Sequence, residues 1–297
     1  MALATGGRPA SLAREATRSL PGALSKPRRV EVEALARKAD GVTGAWIVAA
    51  VPLGLPSSGI AHLASGETLI VHDKLGVFQV TRGGKPRRLV ERDGLEDIAC
   101  DPAGRRVFVV SEDEGAIHEY RVRRRGDAGL ALEDLREPRR LPNLGGRKNA
   151  GWEGIAFLSR PRGWPQASLV CVHEGRPRRI AVLALPDLEP VVSEKLPKRA
   201  KRLLPDVAGV AVDAKRGHLF LVSDRSRTII EFSVSRGRAV ALEPLASLAL
   251  PLEADKKPEG LCLDARGRLW VSLDYEKHDD TRKGVALVIE LERAGRA

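Results

Sequence analysis

Five segments of this chain repeat one arrangement of apolar and polar positions. Each begins with a small or acidic residue, which is followed by a glycine (Asp97 in the second segment), an aliphatic residue and a small residue. Such a repeat is sought first because it sets the architecture of the whole chain. The five segments begin at Ser58, Glu96, Glu153, Ala208 and Glu259.

A β-rich apolar run follows each segment and ends in an acid, as in Val107-Phe-Val-Val-Ser-Glu112. A third short apolar stretch comes next, so the pattern within each unit predicts three strands separated by turns or loops. The units start 38 to 57 residues apart, which fits the roughly 40–50 residues of a four-stranded propeller blade with loop insertions. The acids that end the second strands are expected to cap the following turns; they are Asp73, Glu112, Glu174, Asp224 and Asp274.

These units predict an all-β fold, a five-bladed β-propeller with four-stranded blades. The last unit ends near Leu291 with room for only three strands, whereas the apolar stretch from Ala45 to Val51 precedes the first unit and has no partner there. We therefore expect this N-terminal strand to close the last blade, which removes an exposed sheet edge. Residues 43–297 are predicted to form the propeller domain, and residues 1–42, with few large apolar side chains, a flexible tail.

The composition of the 297 residues is that of a folded, non-membrane protein. The hydrophobic share of 43% permits a packed core, and no apolar run approaches the ~18–20 residues that span a bilayer. Three cysteines far apart in the sequence exclude a disulfide framework and a Cys-x-x-Cys zinc module. We expect a cytoplasmic monomer with no membrane span; a periplasmic location is the alternative if the start of the chain is misassigned.

Arginine clusters account for much of the net charge of +11. They admit a polyanion as partner, or they form a solvated basic surface. No aromatic residues are interleaved with the clusters, so the stacking platforms of single-strand binders are missing and nucleic acid is not the expected partner. The clusters span residues 85–88, 123–125, 176–179 and 198–202.

Three of the five residues that precede the repeat glycine are glutamates: Glu96, Glu153 and Glu259. The first strand of each propeller blade lines the central channel, so these carboxylates are expected to converge at one mouth of it. Converging carboxylates repel one another until a proton or a cation neutralises them. An all-oxygen set of ligands favours Ca²⁺, which accepts irregular geometry, over Mg²⁺. The alternative is that polar residues line a channel filled with water.

His72 and His173 occupy equivalent positions beside the acids that end two of the second strands. Such a histidine could serve as a general base, which makes both weak catalytic candidates. The alternative is a strand-end position that tolerates many residue types. The sequence contains no Gly-x-Ser-x-Gly, His-Glu-x-x-His or Walker motif, so serine hydrolase, zinc protease and nucleotide-binding functions lose support.

The motifs, in their order along residues 50–291, resemble those of the SdiA-regulated family of bacterial proteins. The resemblance rests on residues 57–60, 94–98, 151–156, 206–210, 221–227 and 258–264. It implies a five-bladed propeller with a calcium site near the axis and no settled activity, and the family's motif glutamates correspond to Glu96, Glu153 and Glu259. Asp97 replaces a usual glycine and Ala208 a common serine. A single unit is also similar to an NHL repeat and, more loosely, to gluconolactonase-like propellers.

Two functions follow as hypotheses. The first is a calcium-stabilised binding or scaffolding module whose partner, a protein or a small molecule, binds at the channel mouth. The second is a metal-dependent hydrolase of a lactone, an ester or a phosphoester, in which the ion would polarise the substrate and activate a water molecule.

Overall fold

Almost every regular element of the computed structural model is a strand. The structure describes residues 22–36, 41–81, 85–126, 129–142, 151–159, 166–175, 178–236, 240–275 and 284–293. Within these ranges there is one short helix, α1 (Lys198–Leu203), so the predicted all-β class is confirmed.

Three antiparallel sheets each contain four strands that follow one another in the chain. The first sheet consists of β3 (Gly59–His62), β4 (Thr68–His72), β5 (Gly76–Val80) and β6 (Pro86–Val90). The second consists of β7 (Leu95–Cys100), β8 (Arg106–Ser111), β9 (Ala116–Arg124) and β10 (Leu130–Asp134), with the short β11 (Arg139–Arg140) also paired to β9. The third consists of β12 (Trp152–Leu158), β13 (Ser168–His173), β14 (Arg179–Ala184) and β15 (Glu189–Lys195).

A fourth, nine-stranded sheet contains two further groups of four strands, joined by one strand between them. One group is β16 (Gly209–Asp213), β17 (His218–Ser223), β18 (Thr228–Arg236) and β19 (Val240–Ala249). The other is β20 (Lys256–Leu263), β21 (Leu269–Tyr275), β22 (Val285–Arg293) and β2 (Val42–Pro52), and the joining strand is β1 (Ala23–Ala34).

The second strand of each group is a continuous apolar run because both of its faces are buried. In β8, Val107 and Val109 pack into one hydrophobic cluster, whereas Phe108 and Val110 pack into the next. The core is divided in this way into five clusters, and each lies between two neighbouring groups of strands. Alternate side chains of one strand therefore bind its sheet to the sheets on both sides.

The first strands of the five groups contact one another in a closed cycle. Strand β3 contacts β7, β7 contacts β12, β12 contacts β16, β16 contacts β20, and β20 returns to β3. Sheets that pack face to face around such a cycle have the architecture of a β-propeller.

The N-terminal stretch predicted to complete the last group pairs with its final strand. Strand β2 runs antiparallel to β22, with Ala45 opposite Leu291 and Val51 opposite Ala286. Buried ionic contacts reinforce this seam. The Glu231 carboxylate accepts a hydrogen bond from the backbone N–H of Val42 at 2.7 Å, and it also pairs with His218 at 2.9 Å and with Arg293.

One stretch within residues 1–42 differs from the flexible tail that the composition predicts. Ala23–Ala34 form β1, which pairs with β2 through Val30 and with β19 through Glu31. Only Val30 of this strand is buried, so its own apolar pattern gives little sign of a strand. Two sheet edges left open by β19 and β2 supply the hydrogen-bonding partners instead. Residues 1–21 and 37–40 lie outside the described residues, and the domain boundary at residue 42 stays a prediction.

Candidate cation site

The repeat glycines lie where the first strands approach one another too closely for a side chain. A Cβ atom on Gly209 would lie 2.2 Å from the carbonyl oxygen of Glu259, and one on Gly260 would lie 2.7 Å from the Cα of Gly59. A Cβ on Gly154 would lie 3.1 Å from the Cα of Gly209. The glycine in each repeat is therefore required by close packing of backbone against backbone.

Asp97 stands at the equivalent position of the second unit and fills the gap with its carboxylate. It is fully buried and accepts hydrogen bonds from the backbone N–H groups of Ile98 at 2.8 Å and Ile155 at 2.9 Å. A third backbone hydrogen bond comes from Ile60. Burial raises the pKa of Asp97 well above its usual range, and these hydrogen bonds oppose the rise. Asp97 thus ties the first strands of three units together.

The three predicted glutamates each stand one residue before the position of the repeat glycine, where the first strands approach one another most closely. Glu96, Glu153 and Glu259 lie on β7, β12 and β20, and the charge of Glu96 acts on the pKa of both of the others. Each side chain keeps partial contact with solvent while protein atoms surround it. Burial raises the pKa of Glu96 to about 8, with the carboxylates of Glu112 and Asp73 adding to the effect.

The pKa values of Glu153 and Glu259 are also raised, and for the same physical reasons. Burial is the main cause in both residues, and neighbouring carboxylates add to it. We refer to Glu96, Glu153, Glu259 and the acids that act on their pKa values as the acidic pit. It is not a finished coordination shell, because among the described residues no group of three or more His, Cys, Asp or Glu side chains could hold a metal ion. Such a set of carboxyl groups accepts either protons or an added cation.

The acids that end the second strands lie near enough to the three glutamates to act on their pKa values. Asp73, Glu112 and Asp274 act on the pKa of Glu96, and Asp224 acts on that of Glu259. Some also serve the backbone, as expected for turn caps. The Glu112 carboxylate, for example, accepts a hydrogen bond from the N–H of Gly151 in the next unit at 2.8 Å.

The fourth unit has no acid at the repeat position because Ala208 stands there, yet an acid lies two residues earlier. Asp206 is only 2% exposed and accepts a hydrogen bond from the hydroxyl of Ser223. Burial raises the pKa of Asp206 to about 7, and the facing Asp224 carboxylate adds to the rise. The comparison of aligned repeat positions missed Asp206. The available signal in the sequence was an acid two residues before the repeat position of the fourth unit, one of the two units that have no acid at that position.

The two candidate histidines are buried at the ends of second strands. The His72 Nδ1 lies 2.9 Å from Asp73 Oδ1, and the His173 ring packs edge-on against Trp152 with 5.4 Å between centroids. Burial lowers the pKa of His173, so its imidazole is neutral at physiological pH. These contacts are compatible with packing and hydrogen-bonding roles for both residues.

Beyond the constriction lies a separate cavity of about 110 Å³ that all five first strands line. Cys100 and Cys262 are among its lining residues. Burial raises the pKa of both thiols, so they remain protonated and behave as small apolar side chains.

Several residues of the predicted basic clusters pair with nearby acids. Arg123 and Arg125 lie 3.0 and 3.4 Å from the Glu133 carboxylate, and Arg124 pairs with Glu67. Exposed pairs of this kind add little stability, but they reduce the charge offered to a polyanion. In the described part of the chain, no helix is both long and apolar enough to cross a membrane.

Comparison with known proteins gives one family match and several structural likenesses. Residues 141–274 match the model of the SdiA-regulated family, which confirms the resemblance seen in the motifs. Glu153, Asp206 and Glu259 lie inside the matched range, and Glu96 lies before it. A search of the curated proteins gives no match.

Among solved structures, the glutaminyl cyclase of Myxococcus xanthus aligns with a TM-score of 0.53 at 12% identity, covering 84% of this chain and 97% of that one. A gluconolactonase from Xanthomonas campestris aligns with a TM-score of 0.48 at 16% identity, covering 93% and 88%. A calcium structure of a family AA12 carbohydrate-active enzyme from Trichoderma reesei gives 0.45 at 10%, covering 89% and 99%. The first of these likenesses supports the fold and carries no activity to this chain.

Proposed function

Residues 141–274 match the SdiA-regulated family, and on that premise we propose that the chain is a five-bladed β-propeller that binds a divalent cation, calcium, in its axial acidic pit. The five groups of four strands are its blades, and β2 closes the last one. Glu96, Glu153 and Glu259 hold the ion, and the protein acts as a binding or scaffolding module.

The observation that carries this proposal is the mutual electrostatic strain of the three glutamates. Burial and neighbouring carboxylates raise all three pKa values, and within the described residues neither Glu96 nor Glu153 forms an ion pair that would relieve the strain. A divalent ion would replace the protons and remove the repulsion. Calcium fits better than magnesium because carboxylates that must turn inward from several strands give irregular geometry.

Calcium titration of the chelator-treated protein tests the proposal. We expect heat of binding in calorimetry and a higher Tm, because a ligand that binds only the folded state stabilises it. The variant with Glu96→Gln, Glu153→Gln and Glu259→Gln should fold without calcium and lose both responses. Its matched control carries Glu91→Gln and Glu253→Gln, whose side chains are 76% and 75% exposed. Equal calcium responses in the triple variant and the control would refute this site.

A metal-dependent hydrolase is the second candidate, because the three glutamates keep contact with solvent and an ion among them would face substrate. An open coordination position of this kind is a feature of catalytic metal sites. Panels of lactones, esters and phosphoesters, assayed with and without chelator, separate the two candidates. Chelator-sensitive turnover that is lost in the triple glutamine variant supports the enzyme, and its absence supports the binding module.

A further inference from the structure

Two basic side chains lie at the acidic pit, where the fourth and fifth units meet. Arg225 follows the end of β17, with its Nε 3.0 Å from Asp206 Oδ2 and a terminal nitrogen 4.0 Å from Glu174. Lys257 lies on β20, with its Nζ 3.8 Å from Asp224 Oδ2. Burial raises the pKa of Glu174, and the charges of Arg225 and Lys257 both oppose the rise. Both cations therefore lie within electrostatic reach of the same acid.

The donor groups of these two side chains are open to a ligand. The contacts of 3.8 and 4.0 Å are too long for hydrogen bonds, and Asp206 Oδ2, although close to Arg225 Nε, has no hydrogen-bond partner among the described residues. The side chains of Arg225 and Lys257 are 67% and 35% exposed. Their N–H groups can therefore donate to a molecule that enters from solvent.

Other arginines of this protein show the usual form of a structural counter-charge. Arg268 donates from Nε to Asp264 Oδ2 at 2.7 Å, and its side chain is only 11% exposed. Arg293 donates to the buried Glu231 carboxylate, and its side chain is 15% exposed. The two cations at the pit differ in both respects, so neutralisation of the nearby acids does not account for their exposed, unbonded ends.

The chemistry of the two side chains indicates the class of ligand. A guanidinium offers a fork of N–H groups that matches two oxygens of a phosphate, and an ammonium adds a point charge. Arg225 and Lys257 together carry two positive charges. A phosphate monoester, with a charge of about −1.5 to −2 near neutral pH, matches them better than a carboxylate with a single charge.

We propose that Arg225 and Lys257 form a clamp for the phosphate group of a small phosphate monoester at the acidic pit. This inference rests on the proposed function, because the ion held by Glu96, Glu153 and Glu259 would offset the repulsion between the phosphate and the carboxylates of the pit. Among the substrates of the hydrolase candidate, the clamp selects phosphoesters over neutral lactones and esters.

Calorimetry with phenyl phosphate on the full-length protein, with and without calcium, tests the clamp. We expect binding that calcium strengthens. Arg225→Gln and Lys257→Gln should each weaken it by about tenfold or more, since each removes charge-assisted hydrogen bonds, whereas calcium binding is retained. The matched control is Lys256→Gln, because Lys256 is 31% exposed and pairs with Glu253 at 3.0 Å. Benzoate, with one negative charge, should bind about tenfold more weakly than phenyl phosphate.

Arg225→Lys is the second variant if Arg225→Gln does not fold. It keeps the charge but loses the fork of N–H groups, so its affinity should lie between those of the wild type and Lys257→Gln. Equal affinities of the wild type, the Arg225 variant and Lys257→Gln for phenyl phosphate would overturn the clamp. Equal affinities of the wild type for benzoate and phenyl phosphate would show that the class of ligand is wrong.

The remaining outcomes separate this inference from the proposed function. A protein that binds calcium but no phenyl phosphate would overturn the clamp and leave the calcium site. A protein that binds no calcium, yet binds phenyl phosphate with the expected losses in the Arg225 and Lys257 variants, would support the clamp and refute the calcium site. Absence of phenyl phosphate binding both with and without calcium refutes the clamp.

Discussion

Asp97→Gly is the substitution for which the repeat pattern and the structure give opposite expectations. Glycine stands at this position in the other four units, so reasoning from the consensus predicts a stabilised protein. The structure predicts the reverse. The carboxylate accepts hydrogen bonds from Ile155 and Ile60 of the neighbouring units, and glycine would leave those two N–H groups buried without acceptors.

The size of the effect follows from these two groups. Each buried N–H without a partner destabilises the folded state by about 1–3 kcal/mol, and the added backbone freedom of glycine contributes about 0.5–1 kcal/mol. We expect a loss of about 4 kcal/mol in the free energy of unfolding. At about 2–4 °C per kcal/mol for a domain of this size, the Tm falls by about 10 °C. Asp97→Asn keeps one carbonyl acceptor and should fall between the two.

Urea unfolding and thermal scans of the three proteins measure the difference, with Asp187→Asn, 72% exposed, as the control for loss of an acid. A Tm for Asp97→Gly equal to or above that of the wild type would show that the carboxylate does not tie the units together. The consensus expectation would then be the correct one.

Three further outcomes are expected. In Gly209→Ala the new Cβ would lie 2.2 Å from the Glu259 carbonyl oxygen, so the free energy of unfolding measured in urea should fall by about 3 kcal/mol. In Gly267→Ala the Cβ meets no atom within 4 Å, but the φ of +76° should still lower the free energy of unfolding by about 1–2 kcal/mol. Equal losses in the two variants would contradict the close approach at Gly209. The pKa of Glu96 is raised from 4.5 to about 8, so the stability that protonated Glu96 contributes to the chelated protein is fully present below about pH 4.5 and is lost as the pH rises through about 8. Calcium should reduce this loss between about pH 4.5 and 8. If Glu96→Gln has the same dependence of Tm on pH as the wild type in chelator, this expectation is wrong. Glu231→Gln should lose about 3 kcal/mol, because it leaves the buried end of an arginine without its counter-charge; urea midpoints within error of the wild type would show that the seam does not need this charge.

The sequence was sufficient to predict the all-β class of the fold. Continuous apolar runs recur in every unit because each sheet is buried on both faces, and the repeat glycine recurs in four of the five units because the first strands touch. The same repetition places Glu96, Glu153 and Glu259 at equivalent positions of their units. Their role as ligands stays a prediction, as do the boundary at residue 42 and the identity of a partner.

Two features could not be predicted from the repeat. Strand β1 forms because its backbone hydrogen-bonds to β2 and β19. Only Val30 of this strand is buried, so the alternation of apolar and polar side chains that predicts a strand is missing from its sequence. Asp206 was missed because an alignment of repeats compares equal positions, whereas a side chain two residues upstream can reach the same space from the loop before the strand.

The pairing of β2 with β22 has a consequence for the order of folding during synthesis. Strand β2 leaves the ribosome before every strand of the four other groups, whereas its partner Val285–Arg293 leaves after them. Ile47 and Val48 are buried in the folded protein, so they lack their native packing partners from β22 while the strands between are made. The ring cannot close before β22 has been made, so its last step depends on contacts between residues far apart in the sequence, which favours slow folding.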